Sequence, residues 1–281
     1  MSLGQKYFSQ QIQAFLQEAL DEDWGRGDLF ELIAQDREVQ AKIIAKSSGI
    51  FSGEKYLGVL CGMVGVGCKF ERHDCEAFRE GDTLVELSGS SVMILKIERV
   101  ALNILQHSSG IATQTHTYAQ KIKDYPAKLL DTRKTRPLLR ALEKYSVRNG
   151  GGFNHRFGLD DALMLKDTHL KCIQNLAKCI KEARDKLPMT TKIEIECANL
   201  QECRSAFEAG ADVVMCDNME PVEIAEVVRL RNDCYPHILL EASGNITLDN
   251  IQEYAKTGVD YLSSGSLIHQ ATWLDLSLKI L

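Results

Sequence analysis

The chain has 281 residues, 44% of them hydrophobic and 26% charged, with a net charge of −6; that is enough for one large or two modest domains with a real core. No apolar run approaches the ~20 residues of a membrane-spanning helix. The N-terminus lacks a signal peptide's apolar stretch, and nine cysteines with no CxxC pair fit reduced thiols better than a disulfide framework. The expectation is a cytoplasmic protein with no membrane and no nucleic-acid partner.

From the N-terminus, Ile12, Phe15, Leu16, Ala19 and Leu20 recur at helical spacing, with Ser9 as a candidate cap. The helix should stop before the Gly-containing loop 21–30. Val39, Ala41, Ile43 and Ala45 alternate as in a half-buried strand. Residues 56–64 read as a short helix, and 69–88 as strand, turn, strand around Arg79 to Asp82. Residues 92–106 form a helix, Ser108-Ser109-Gly110 interrupts it, and 111–123 resume it. Grouped strands flanked by helices read as an α+β domain.

The rhythm then changes. Six short apolar strands are expected at 127–131, 162–166, 192–197, 212–216, 238–242 and 260–263. Helices separate them, the first opening at Pro137 with Thr135 as its cap, the second running from about 170 to 186. Such alternation demands parallel strands, in an open doubly wound sheet or a TIM-like barrel. Residues 208–215 and 256–263 echo each other as helix end, Gly, Asp, strand.

At each strand end stand chemically useful residues: Asp131 with Arg133 and Lys134, Lys166, Glu194 and Glu196, Asp217 with Asn218, Glu241 with Ser243-Gly244, then Ser264-Gly265-Ser266. Barrel enzymes place chemistry at these ends. Residues 132–158 hold seven Arg or Lys and one acid, a basic island that focuses small anions. Within it, Arg136, Arg140, Lys144 and Arg148 are spaced by four, and Arg140, Lys144 and Arg148 read as a solvated helix face. Arg133, Lys134, His155, Arg156 and Lys166 are the candidate anion contacts. The acidic group is Glu194, Glu196 and Asp217, the two glutamates on one face by period two; inward, oxygen-only carboxylates suit Mg²⁺, and salt bridges from Lys166 or Lys192 are the alternative. The two small turns at the last strands suit phosphate.

At these residues the chain resembles quinolinate phosphoribosyltransferases. The resemblance rests on EDWGRGD near the start, LQHSSGIAT at 105–113, DTRKTRP at 131–137, NGGGFNHR at 149–156, IEIE, CDN, EASGNI and SSGSL. It implies an incomplete, six-stranded TIM-like α/β barrel at 113–267. It also implies an N-terminal α+β domain at 1–112, joined by the C-terminal segment 268–281. The implied activity transfers phosphoribosyl from phosphoribosyl pyrophosphate (PRPP) to quinolinate with decarboxylation, with Mg²⁺ on Glu196 and Asp217. Catalytic roles are implied for Lys134, Lys166, Glu196 and Asp217. Further substrate contacts are implied for Thr132, Arg133, His155, Arg156, Ser243, Gly244, Asn245, Ser264, Gly265 and Ser266. A homodimer is implied, with Arg99 completing the neighbouring site, or a higher oligomer such as a hexamer. One departure is visible: the turn usually reads Ser-Gly-Gly, and here it is Ser243-Gly244-Asn245. A nicotinate-type phosphoribosyltransferase without decarboxylation and a non-catalytic phosphosugar-binding barrel are the alternatives.

Overall fold

The computed structural model describes residues 3–281, with side chains from residue 10, so the Ser9 cap lies outside the described side chains. The chain forms two compact units, 1–114 with 271–281, and 115–270.

In the first unit, helix α1 (Leu3–Trp24) runs on through the expected loop start, and a 3₁₀ turn follows at Leu29–Leu32. Asp28 caps that turn by accepting from Phe30 N. Strand β1 (Glu38–Ala45) buries Ala41, Ile43 and Ala45 on one face, as its alternation requires. A short β2 (Gly49–Ile50) precedes helix α2 (Glu54–Val64), which ends on Gly65 in the left-handed conformation. Then come β3 (Gly67–Phe70), β4 (Ala77–Phe78) and β5 (Thr83–Ser90). The C-terminal strand β12 (Leu276–Ile280) pairs antiparallel with β1, giving the sheet order β12-β1-β5-β3.

Helix α3 (Ser91–Lys121) is one uninterrupted helix, against the expected break at Ser108-Ser109-Gly110. Ser108 and Ser109 are fully buried and spend their hydroxyls on Ser52: Ser108 Oγ lies 2.7 Å from Ser52 Oγ, and Ser109 Oγ accepts from Ser52 N at 3.1 Å. A Cβ on Gly110 would lie 2.2 Å from the carbonyl oxygen of Thr272. The three small residues therefore let the C-terminal segment approach the helix closely.

The second unit carries six parallel strands: β6 (Lys128–Leu130), β7 (Leu163–Leu165), β8 (Ile193–Cys197), β9 (Val213–Asp217), β10 (Leu239–Ser243) and β11 (Tyr261–Ser263). Their order, β6-β11-β10-β9-β8-β7, is the cyclic order of a barrel left open between β6 and β7. A single parallel bridge from Leu130 to Phe153 stands beside that gap. The intervening helices are α4 (Arg140–Asn149), α5 (Asp167–Leu170), α6 (Leu176–Lys186), α7 (Leu200–Glu208), α8 (Pro221–Cys234), α9 (Ile251–Lys256) and α10 (Ser266–His269).

Two helix expectations are corrected. Pro137 does not open α4: Leu138 sits at φ +65°, a left-handed residue no helix includes, and helical geometry begins at Arg140. Thr135 does not cap it either, since its hydroxyl accepts from Arg140 Nε at 3.1 Å. The helix expected from 170 to 186 is split into α5 and α6, because Asn175 caps a new start by accepting from Lys178 N.

The Gly-Asp echo has a structural purpose. Asp212 accepts from Ile193 N at 2.8 Å and is clasped by Arg184 at 2.7 Å. Asp260 accepts from Leu240 N at 2.8 Å and is clasped by Arg231 at 2.7 Å. Each aspartate closes the N-terminal end of a neighbouring strand, which leaves the opposite ends free for chemistry.

Candidate active site

Period two along parallel strands sends alternate residues to one face. On the face above the C-terminal strand ends these are Met164 and Lys166, Glu196, Met215 and Asp217, Glu241 and Ser243, and Ser263. Together with Thr132, Arg133, Lys134, His155, Arg156, Asn218, Gly244 and Asn245 they line a cavity of about 480 Å³. The register sets Glu196 and Glu241 on either side of Met215, and Ser243 opposite Asp217.

The loops over β6 and β7 are held by a buried polar staple. Asp131, the residue after β6, is fully buried and pairs with the ammonium of Lys144, which is 1% exposed. Asp131 also accepts from Asn154 Nδ2 at 2.6 Å and from His155 N at 2.8 Å, and Lys144 donates to His155 O at 3.0 Å. Lys144 is thus not on a solvated face. Burial raises the Asp131 carboxyl against the pull of Lys144, and burial lowers the Lys144 ammonium against the pull of Asp131. Glu143, also fully buried, accepts from Arg136 N at 2.9 Å and Arg136 Nη1 at 2.8 Å, fixing the approach to α4. Arg140 Nη1 donates to Phe157 O, and Arg148 Nη1 to Gly152 O. The spaced-by-four group therefore ties loops down, and none of its members lines the cavity.

The cations that do line it are Arg133, Lys134, Arg156 and Lys166. Arg133 and Lys134 form no ion pair among the described residues. Arg156 is oriented by the Ala162 carbonyl at 3.0 Å, and burial and then the Arg133 charge lower its pKa. Two guanidiniums crowd each other there, an arrangement an anion relieves. Lys166 Nζ donates to Glu196 Oε2 at 2.6 Å, the salt bridge foreseen as an alternative; Lys192 pairs with Asp212 instead, at 3.5 Å.

His155 lines the cavity but turns both ring nitrogens inward. Nδ1 accepts from Arg156 N at 2.7 Å; Nε2 lies 3.2 Å from Glu194 Oε2 and 3.4 Å from Glu241 Oε2. Burial works against charge on the ring, the two carboxylates favour it and raise the pKa, and the N–H that Nδ1 accepts from Arg156 opposes the second ring proton that full charge requires. These three residues are a group of metal-ligand type. The bond into Nδ1 keeps the ring proton on Nε2, however, so Nε2 acts as a donor and offers a metal no lone pair. Glu196 and Asp217 suit a hard divalent cation better. Both are oxygen donors opening to the cavity, and burial, then the charge of Glu196, raises the Asp217 carboxyl. A Mg²⁺ would relieve that repulsion.

The small turns differ from each other. Ser243, Gly244 and Asn245 line the cavity, with Gly244 at φ +90° and Asn245 at φ +51°. In the other turn Ser264, Gly265 and Ser266 do not line it; Ser263 does. The Ser264 hydroxyl donates to Ile246 O at 2.9 Å, holding the first turn from behind, and Gly265 leaves room for Lys134, whose Cδ would lie 2.8 Å from a Cβ there. Arg99 stands exposed on α3 in the first unit and is not among the lining residues. Met164, Met215 and Ser263 were not singled out from sequence, although the alternation Val213-Val214-Met215-Cys216-Asp217 places Met215 on the face of Asp217.

The chain matches the models of two families. Residues 28–109 match "Quinolinate phosphoribosyl transferase, N-terminal domain", and residues 111–279 the corresponding C-terminal domain. It is 39% identical over 272 residues to a probable carboxylating nicotinate-nucleotide pyrophosphorylase of Synechocystis, covering 96% of this chain and 92% of that one. Over 273 residues it is 38% identical to a probable enzyme of the same name from Bacillus subtilis, covering 96% and 93%. Its fold is similar to that of the nicotinate-nucleotide pyrophosphorylase of Francisella tularensis, with a TM-score of 0.91, 35% identity and 97% of each chain covered.

Proposed function

This chain belongs to the quinolinate phosphoribosyltransferase family, and we infer that the cavity above its six strands is where the family's reaction takes place. The chain transfers phosphoribosyl from PRPP to quinolinate with loss of CO₂, yielding nicotinate mononucleotide and pyrophosphate for de novo NAD synthesis. The observation that carries the assignment to this cavity is the meeting of Arg133, Lys134, Arg156 and Lys166 with Glu196 and Asp217 around one opening.

In our reading the cationic side receives quinolinate. Its two carboxylates meet the forks of Arg133 and Arg156, and Lys134 and Lys166 add mobile charge. His155 supports this side by holding Arg156 N in place. The acidic side receives PRPP, whose phosphate rests on the turn Ser243 to Asn245. Glu196 and Asp217 would hold Mg²⁺, which supplies charge neutralisation for the pyrophosphate. As the bond from the anomeric carbon to pyrophosphate breaks, positive charge develops on the ribose; the carboxylates on this face of the sheet lower its energy. The quinolinate nitrogen forms the new bond and becomes cationic. The bond from C2 to its carboxylate then breaks, CO₂ leaves, and the electron pair left at C2 beside the cationic nitrogen takes a proton. The cavity's contribution is positioning and charge.

We further propose a homodimer, or a higher oligomer, in which a partner's Arg99 reaches this cavity as a third guanidinium. The test is incubation with PRPP, Mg²⁺ and either quinolinate or nicotinate, scoring CO₂ and mononucleotide. Product with nicotinate and no CO₂ from quinolinate would reject the reading; no product with either acid would favour a phosphosugar-binding barrel.

A further inference from the structure

We propose that Asn218 and Asn245 form a strap that positions the donor side of the cavity: Asn218 joins the Asp217 carboxylate to the turn that receives phosphate, and Asn245 closes the connection. This rests on the reading that PRPP binds at Asp217 and Ser243 to Asn245.

The geometry is continuous. Asn218 Nδ2 donates to Asp217 Oδ2 at 2.7 Å, and Asn218 Oδ1 accepts from Asn245 Nδ2 at 3.1 Å. The backbone N–H of Asn218 donates to Ser243 O at 2.9 Å. Asn250 Nδ2 then donates to Asn245 O at 3.0 Å, and Asn250 Oδ1 accepts from Thr247 N at 2.8 Å. Two of these residues hold an uncommon backbone to do it, Asn218 at φ +54° and Asn245 at φ +51°; Asn tolerates that region better than most residues. Gly244 is required between them, because a Cβ there would fall 2.3 Å from Asn218 Oδ1. A glycine at 245 would accept the same backbone but would supply no donor. The side chain of Asn245 therefore adds a cross-link between two strand ends that a Ser-Gly-Gly turn lacks.

Asn218→Ala and Asn245→Gly test the strap singly and together, through the KM for PRPP at saturating Mg²⁺ and calorimetric binding of PRPP with Mg²⁺. Asn245→Gly should raise the PRPP KM about three- to tenfold, as expected for one lost hydrogen bond; Asn218→Ala, which loses two side-chain bonds and strains a φ of +54°, should raise it further. The double variant should be no worse than Asn218→Ala, since the two share one connection. The quinolinate KM should stay within twofold, which a general loss of folding would not allow. Unchanged PRPP parameters in Asn245→Gly, or additive effects in the double variant, overturn the strap. Wild-type protein that takes up no PRPP overturns the underlying reading instead.

Discussion

Lys166 Nζ lies 2.6 Å from Glu196 Oε2, so a cation assigned to the acid substrate is held by a carboxylate assigned to the metal. The two sides of the cavity share a partner. A substrate carboxylate must draw Lys166 away, and anything that occupies Glu196 releases it. Quinolinate binding should accordingly tighten when PRPP and Mg²⁺ are present. Lys166→Met should remove that dependence and weaken quinolinate binding about tenfold or more, the scale of a charge-assisted hydrogen bond. Calorimetric titration of quinolinate with and without PRPP and Mg²⁺ reads both effects; a Lys166→Met protein that keeps the full dependence contradicts the shared role.

Arg133 is the cleanest probe of the cationic side, because its guanidinium lines the cavity, has no ion-pair partner among the described residues and lies near enough for its charge to lower the pKa of Arg156. Arg133→Ala should raise the quinolinate KM about 10- to 100-fold through loss of a forked carboxylate contact. PRPP binding, measured separately, should change little. Equal losses for both substrates would mean that Arg133 supports the loop and not the acid.

The sequence made the strand ends legible because period two and six-fold alternation are local properties. It did not make the basic helix legible. Arg136, Arg140, Lys144 and Arg148 carry a helical spacing that fits a wet face equally well, and only the fold shows that Asp131 and Glu143 are buried against Lys144 and Arg136. The uninterrupted α3 was hidden for a similar reason: Ser-Ser-Gly is a turn by local propensity, and Ser52 and Thr272, distant in sequence, overrule it. The inward turn of the Ser264 hydroxyl depends on Ile246 O, again a contact no spacing encodes.

The Asp131–Lys144 pair should matter to stability far more than any surface pair. Lys144→Met leaves a buried carboxylate with Asn154 and His155 N as its remaining donors, and should cost about 3–5 kcal/mol. Replacing both members, as in Asp131→Leu with Lys144→Met, should recover part of that loss, because no uncompensated charge remains. Urea denaturation of the two variants checks this; a single variant within 1 kcal/mol of wild type, on the order of a surface salt bridge, would mean the pair is solvated in solution.

Gly110 offers a test of the first unit. Alanine usually stabilises a helix interior by about 1 kcal/mol over glycine. Here the added methyl meets backbone, 2.2 Å from Thr272 O and 3.3 Å from Trp273 Cα, which no rotamer change relieves. Gly110→Ala should therefore lower the melting temperature and shift the fluorescence of Trp273, whose ring centroid lies 5.5 Å from that of His107. A stabilised variant with unaltered fluorescence would show that the C-terminal segment does not rest on α3.

Asp212 gives the acid dependence. Burial raises its carboxyl, but Ile193 N and Arg184 outweigh burial and leave the folded pKa below its ordinary 3.8. A carboxyl lowered on folding contributes stability that is fully present above its unfolded pKa and is lost as pH falls through the folded one. Asp212→Asn keeps an oxygen for Ile193 N and removes the charge facing Arg184 and Lys192. The variant should be less stable than wild type by about 1 kcal/mol at neutral pH, with the gap closing below pH ~4 as the wild-type carboxylate takes its proton. Melting curves of both proteins from about pH 3 to 7, a span that brackets the carboxylate range, measure the gap directly. A constant difference across that range would show that Asp212 acts by shape alone, and that its clasp on β8 owes nothing to charge.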